Sequence, residues 1–197
     1  MTAKTAIAKR CVVWSENMLA NYTRQSGDYN SDQVMTKSMR IGVVSDSHGH
    51  VANTGAAVRM LESLEVERVI HCGDVGGDEI VAQFSRWPTH FVFGNVDDPR
   101  RLRLAVEAAG QTFHEAFGSL ELAGRRIAFL HGDDAPLLRQ TIAGGQYALV
   151  CHGHTHLAKQ SRQGPTLVLN PGALYRATPH SIALVELPAV EATIITV

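Results

Sequence analysis

Cysteine is scarce: three residues, Cys11, Cys72 and Cys151, in a chain of 197. An odd and widely scattered set builds no disulfide framework, which excludes the small stapled scaffolds of secreted proteins and suits a reducing cytoplasm. Excess charge is also missing. Eighteen Lys and Arg stand against nineteen Asp and Glu, a formal net charge of −1. Such a balance offers no broad field for a duplex phosphate backbone or an anionic membrane, so no strong nucleic-acid surface is expected. No apolar run reaches membrane-spanning length. Lys4, Lys9 and Arg10 sit among short apolar stretches with no cleavage region after them, which argues against a secretory signal. Internal repeats are absent.

What remains is ordinary material for one large core, with 45% hydrophobic and 19% charged residues. Residues 1–38 differ from the rest. Asn21, Ser26, Gly27, Asp28, Asn30, Ser31, Asp32 and Gln33 crowd together without an apolar period. The segment reads as a disordered leader, the alternative being a short helix over residues 6–20 that docks on the domain. Met39 is a candidate start codon, and the domain is expected to span 39–197.

From Arg40 the pattern alternates. Strands are expected at 41–44, 68–71 and 91–93, and helices at 53–64 (with Asn53 as N-cap), 78–87 and 99–109. That order implies right-handed crossovers and a parallel sheet whose ligands bind beyond the carboxyl ends of its strands. The second half is strand-rich, at 120–122, 127–130, 147–151, 166–169, 182–186 and 192–197, with one helix at 135–143 and a hairpin turn at Gly124-Arg125. A second, partly antiparallel sheet packed face to face on the first is expected, with helices outside.

Five polar clusters each follow a strand: Asp46-Ser47-His48, Gly73-Asp74, Gly94-Asn95, His131-Gly132 and Gly153-His154-Thr155-His156. Singly each is weak, since strand-end aspartates cap helices and turn asparagines are common. Jointly, Asp46, His48, Asp74, Asn95, His131, His154 and His156 supply two carboxylates, an amide and four imidazoles. This is a donor set for two divalent cations that share a carboxylate. Residues at i and i+2 on extended backbone share a face, so Asp46 with His48, and His154 with His156, can turn to one ion. Manganese ranks first, with nickel, iron, zinc and magnesium as alternatives, and two such ions are a usual device for displacement at phosphorus.

On these segments, with His71-Cys72-Gly73-Asp74, Gly94-Asn95-Val96-Asp97, His131-Gly132-Asp133 and Asn170-Pro171-Gly172, the chain resembles the calcineurin-like metallophosphoesterases. The likeness is to the small single-domain phosphodiesterase branch of prokaryotes and runs from about Met39 to the C-terminus. It implies a four-layer α/β/β/α sandwich. It also implies one ion on Asp46, His48, Asp74 and His156, and another on Asp74, Asn95, His131 and His154, with Asp74 as bridge.

Two departures stand out. Many relatives carry a histidine general acid where this chain has Val96, and some carry a second histidine where it has Asp133. The expected reaction is hydrolysis of small phosphodiesters by a metal-bridging hydroxide, with Asp74, Asn95 and His154 as catalytic candidates. Asp97 and Asp133 are expected to orient ligand imidazoles. His152 is a candidate substitute acid, although its side chain is expected on the face opposite His154. The expected partner is a small phosphoester, with no membrane and with a homo-oligomer left open. The rival is a non-catalytic protein-interaction scaffold of the same fold. A nuclease would need a capping domain or a basic groove for strand handling, and neither is evident.

Overall fold

The computed structural model describes residues 37–197, so the leader reading and Cys11 lie outside the described residues. The first half alternates: β1 (Met39–Val44), α1 (Val51–Ser63), β2 (Arg68–His71), α2 (Asp78–Gln83), β3 (Thr89–Phe91), α3 (Pro99–Ala108) and β4 (Thr112–Phe113). There follow β5 (Phe117–Leu122), β6 (Arg125–Leu130), α4 (Ala135–Ala143), β7 (Leu149–Cys151), β8 (Lys159–Gln163), β9 (Thr166–Asn170), β10 (Ser181–Leu187) and β11 (Glu191–Thr196).

Two mixed sheets result. One has the order β11-β10-β1-β2-β3-β4, with β1 to β4 parallel, β10 antiparallel to β1 and β11 antiparallel to β10. The other has the order β5-β6-β7-β9-β8, with β6, β7 and β9 parallel. Alternation along the strands sorts the side chains into layers. Ile41, Val43 and Ile70 meet Ile127, Phe129, Leu149 and Leu169 between the sheets. Val44, Val69 and Phe91 face the other way, onto Leu61, Ile80, Phe84, Leu102 and Val106 of α1, α2 and α3. Ala128, Leu130 and Val150 pack against Leu137, Leu138 and Ile142 of α4. The fold is the four-layer α/β/β/α sandwich, and burying each large aliphatic or aromatic side chain contributes roughly 1.5–3 kcal/mol.

Several boundaries move from the sequence reading. Helix α1 starts at Val51, because the His50 imidazole accepts the Asn53 amide hydrogen and is the N-cap. The Asn53 side chain instead donates to the Leu174 carbonyl at 2.7 Å. Strand β3 pairs over Thr89–Phe91; by Phe93 the backbone amide has turned to Glu115. Helix α2 ends at Gln83, and the chain to Trp87 continues as turns. The hairpin turn is Ala123-Gly124, both at positive φ (47° and 69°), which is the two-residue geometry that matches strand twist. Strand β8, Lys-Gln-Ser-Arg-Gln, is a polar edge strand with no apolar alternation to reveal it.

Two histidines are buried in this frame. His71 is stacked on Phe91 and held at a pKa of about 3, first by burial and then by the nearby His131, against an opposing pull from Asp74. His90, whose Nδ1 lies 3.0 Å from Nε2 of His114, is held at about 4 by burial, with His114 and Arg68 adding to it. Both folded values lie below the ordinary 6.5, so the unfolded chain takes up protons first. Stability is therefore full above about pH 6.5 and falls as the pH drops toward these values. These two groups together should contribute a loss of about 4 kcal/mol between pH 7 and pH 5, at ~1.4 kcal/mol per pH unit per group, read by urea unfolding of the metal-free protein. His90→Gln should remove about half of that dependence.

Candidate metal centre

All five polar clusters leave the carboxyl ends of parallel strands, Asp46 and His48 after β1, Asp74 after β2, Asn95 after β3, His131 after β6, and His154 and His156 after β7. Direct backbone hydrogen bonds bind these loops to one another. Asp46 N donates to Gly73 O, His48 N to Asp74 O and Gly153 N to His131 O, at 3.0, 2.9 and 2.8 Å. The backbone is strained where the donors sit. Asp46, His48, Asp74, His154 and His156 have φ of 54°, 45°, 53°, 68° and 58°. That left-handed conformation costs a residue with a Cβ roughly 1–2 kcal/mol and is held only where the surroundings fix it.

The seven side chains converge. The Asp74 Oδ2 lies 3.5 Å from His48 Nε2 and 3.3 Å from His131 Nε2. Asp46 Oδ1 lies 3.2 Å from His156 Nε2, which is itself 3.2 Å from His48 Nε2. The Asn95 Oδ1 lies 3.1 Å from His131 Nε2 and 3.0 Å from His154 Nδ1. Asp46, Asp74 and His131 are buried, while Asn95 and His154 are exposed, so the two carboxylates and His131 form the floor and Asn95 and His154 the mouth.

This donor chemistry fits cations. Asp46 Oδ1 is buried without a hydrogen-bond donor, a costly state for a carboxylate oxygen unless a positive charge meets it. Two sets, Asp46–His48–His156 and Asp46–Asp74–His131, each bring their ligand atoms within 4.8 Å of one another. His131 Nδ1 lies 2.9 Å from the Cys72 carbonyl, an acceptor only, so Nδ1 carries a proton in either charge state and Nε2 is the nitrogen that would be left to a cation. Burial pushes the Asp74 carboxyl up, but the hydrogen bond and charge of His131, with the Val96 amide and His48, leave it below its ordinary value. Burial likewise opposes charge on His131, and Asp74 reverses this, raising it above the ordinary imidazole.

Two of the outer candidates, Asp97 and Asp133, take places other than those expected. The Asp97 carboxylate accepts the backbone amides of Val75, Gly76 and Gly94 at 3.1, 3.0 and 2.9 Å, and bonds to no ligand imidazole. It clips the Asp74 and Asn95 loops together. The Asp133 carboxylate is exposed and makes no hydrogen bond among the described residues, because Asp134 takes the N-cap of α4. His152 bonds its neighbour Gly153 and lines a groove with Leu138, Ile142 and Val168.

Two supports lie in motif segments where the sequence reading gives these residues no role. Ser47 Oγ and His71 Nε2, 2.8 Å apart, join the first two loops beneath the site. Asn170 donates to Gly153 O at 2.8 Å and Thr155 Oγ1 at 3.0 Å, bracing the loop that carries His154 and His156. The signal for both was a polar residue inside or ending an apolar strand.

Residues 39–189 match the family model described as a calcineurin-like phosphoesterase superfamily domain. The phosphodiesterase MJ0936 of Methanocaldococcus jannaschii is 30% identical over 138 residues, covering 68% of this chain and 83% of that protein. A solved archaeal phosphodiesterase superposes with a TM-score of 0.74 at 28% identity, covering 81% of this chain and all of that one. Vps29 of Entamoeba histolytica, solved with zinc, superposes at 0.57 with 20% identity over 79% of this chain and 90% of its own, a likeness of fold. With its sandwich and its strand-end loops matched over this span, the chain belongs to the calcineurin-like phosphoesterase superfamily.

Proposed function

We propose that this chain is a metal-dependent phosphodiesterase that hydrolyses small phosphodiesters at a centre for two divalent cations, manganese first among them. The observation that carries the reading is the Asp74 carboxylate, its Oδ2 between the Nε2 atoms of His48 and His131, beside an Asp46 oxygen that lacks a donor. Asp46, His48, Asp74 and His156 would hold one cation, and Asp74, Asn95, His131 and His154 the other. When bound, such a pair lowers the pKa of water and screens phosphoryl oxygens.

The chain's own groups do the rest. Buried Asp46 and Asp74 set the charge of the floor, and the Cys72 carbonyl fixes the tautomer of His131. The Asn95 amide, at the exposed mouth, would meet a phosphoryl oxygen. Val96, exposed and apolar, offers no proton to the leaving group, so esters of acidic alcohols are the favoured substrates. Cys72 and Cys151 are free, buried thiols, which suits a reducing cytoplasm. The scaffold reading is the less supported, since all seven donor positions are filled.

The test is a panel of a nitrophenyl phosphodiester, an alkyl phosphodiester, nitrophenyl phosphate and cyclic nucleotides, run after chelation and with manganese, nickel or magnesium restored. Hydrolysis should vanish with chelator and return with manganese, fastest on the nitrophenyl diester. Absence of turnover on every ester with every cation would overturn the proposal. No described helix is long and apolar enough to cross a membrane, which agrees with a small dissolved substrate.

A further inference from the structure

The loop between β9 and β10 brings an aromatic ring and an unpaired cation to one side of the centre. Tyr175 is half-buried, its ring centroid 5.6 Å from that of His48 and stacked at 25° on His50, also 5.6 Å away. The Arg176 guanidinium carbon lies 5.2 Å from the Tyr175 centroid. A cation–π contact of this kind holds a guanidinium near the ring and costs it none of its five donors.

The support beneath is firm. Asn53 of α1 donates to the Leu174 carbonyl at 2.7 Å, Leu174 N donates to Ser45 O at 3.3 Å, and Ser181 Oγ donates to Pro171 O at 2.7 Å. The loop is therefore tied to the first helix, to the residue before Asp46 and to β10. Arg176 itself adopts φ of 52°, the strained conformation shared by five of the seven donors. Arg176 forms no ion pair among the described residues, as is true of several other arginines, but it is the unpaired one whose aromatic partner contacts His48 and His50. An oriented, exposed guanidinium without a protein anion is ready for a ligand anion.

Its distance from the donors says which anion. Both Arg176 and His48 contact the Tyr175 ring, and Arg176 makes no hydrogen bond or ion pair with any of the seven donors, so the guanidinium lies beside, not among, the groups that would surround the reacting phosphorus. A group bound there belongs to the rest of the ester. We infer that Arg176, carried on Tyr175, determines specificity by binding a second anionic group, a phosphate on the alcohol portion of the substrate, on the His48 side of the centre. This deepens the phosphodiesterase reading and rests on it.

The probes are the p-nitrophenyl ester of thymidine 5′-phosphate and the same ester carrying a 3′-phosphate, assayed on the manganese-loaded full chain. The 3′-phosphorylated ester should show the lower KM. In Arg176→Ala the advantage, read as the ratio of the two KM values, should shrink about tenfold, the size expected for a charge-assisted pair. Tyr175→Leu, which frees the guanidinium, should shrink it similarly, and Tyr175→Phe should preserve it. Equilibrium dialysis of thymidine 3′,5′-bisphosphate reads the contact without turnover, and binding to the Arg176→Ala protein should be about tenfold weaker. A KM ratio and a dialysis constant both equal to wild type would overturn the inference, as would equal losses on the two esters. If neither ester is turned over by wild type, the phosphodiesterase reading fails, and dialysis alone then judges Arg176.

Discussion

Replacing Asp74 with asparagine should lower kcat/KM for a nitrophenyl phosphodiester about a thousandfold, with the fold retained and one equivalent or more of bound manganese lost. Asparagine keeps the size of the side chain and the Oδ1 that accepts the Val96 amide, so packing is spared. What it removes is the charge. Oδ2 sits 3.5 Å from His48 and 3.3 Å from His131, and the carboxyl is held below its ordinary pKa, hence ionised at neutral pH. In a part-buried site with an effective dielectric constant of about 20, a unit charge at this range is worth roughly 4 kcal/mol, and ~1.4 kcal/mol is a factor of ten. An NH2 group there would also turn a donor toward cations. Metal content by mass spectrometry alongside kcat/KM checks the result, and activity within tenfold of wild type would remove Asp74 from the centre.

The fold was legible because its strands and helices carry their periods openly. Ile41 and Val43 alternate with residues that face α1, and Leu102 and Val106 stripe α3. The polar clusters were legible for a related reason: Asp46, Asp74, His131 and His154 break apolar strands at their exits, where a parallel sheet gathers its ligands. What escaped depends on contacts across the chain. Asp97 looked like a partner for an imidazole, but three backbone amides from two loops reach it first, a convergence that spacing cannot show. His50 displaced Asn53 as cap only because Leu174, 121 positions on, takes the asparagine. Strand β8 gave no signal because an edge strand with a solvent-facing side needs no apolar alternation. Tyr175 and Arg176 escaped for the same reason as Asp97. Their loop meets His48 and His50 only in three dimensions.

Gly94→Ala should cost about a hundredfold in kcat/KM and ~1–3 kcal/mol in stability, although it replaces none of the seven donors. The cause is space, since Gly94 lies outside the left-handed region and alanine could adopt its backbone angles. A Cβ there would overlap the Oδ1, Cγ and backbone nitrogen of Asp74. The glycine loop cannot swing away to make room, because Gly94 N is bonded to the Asp97 carboxylate that also holds Val75 and Gly76. The Asp74 side of the contact must give instead, and Asp74 is the residue whose position between His48 and His131 the chemistry requires. Gly55, inside α1, supplies the contrast. A Cβ there meets only the ends of Gln83 and Arg59 at 3.4 and 3.6 Å. Gly55→Ala should therefore stabilise the protein by about 0.5–1 kcal/mol through helix propensity and leave kcat/KM within twofold. Thermal unfolding and diester kinetics on the two alanine variants separate the effects. A Gly94→Ala enzyme with kcat/KM within threefold of wild type would mean that Asp74 is not positioned by this wall.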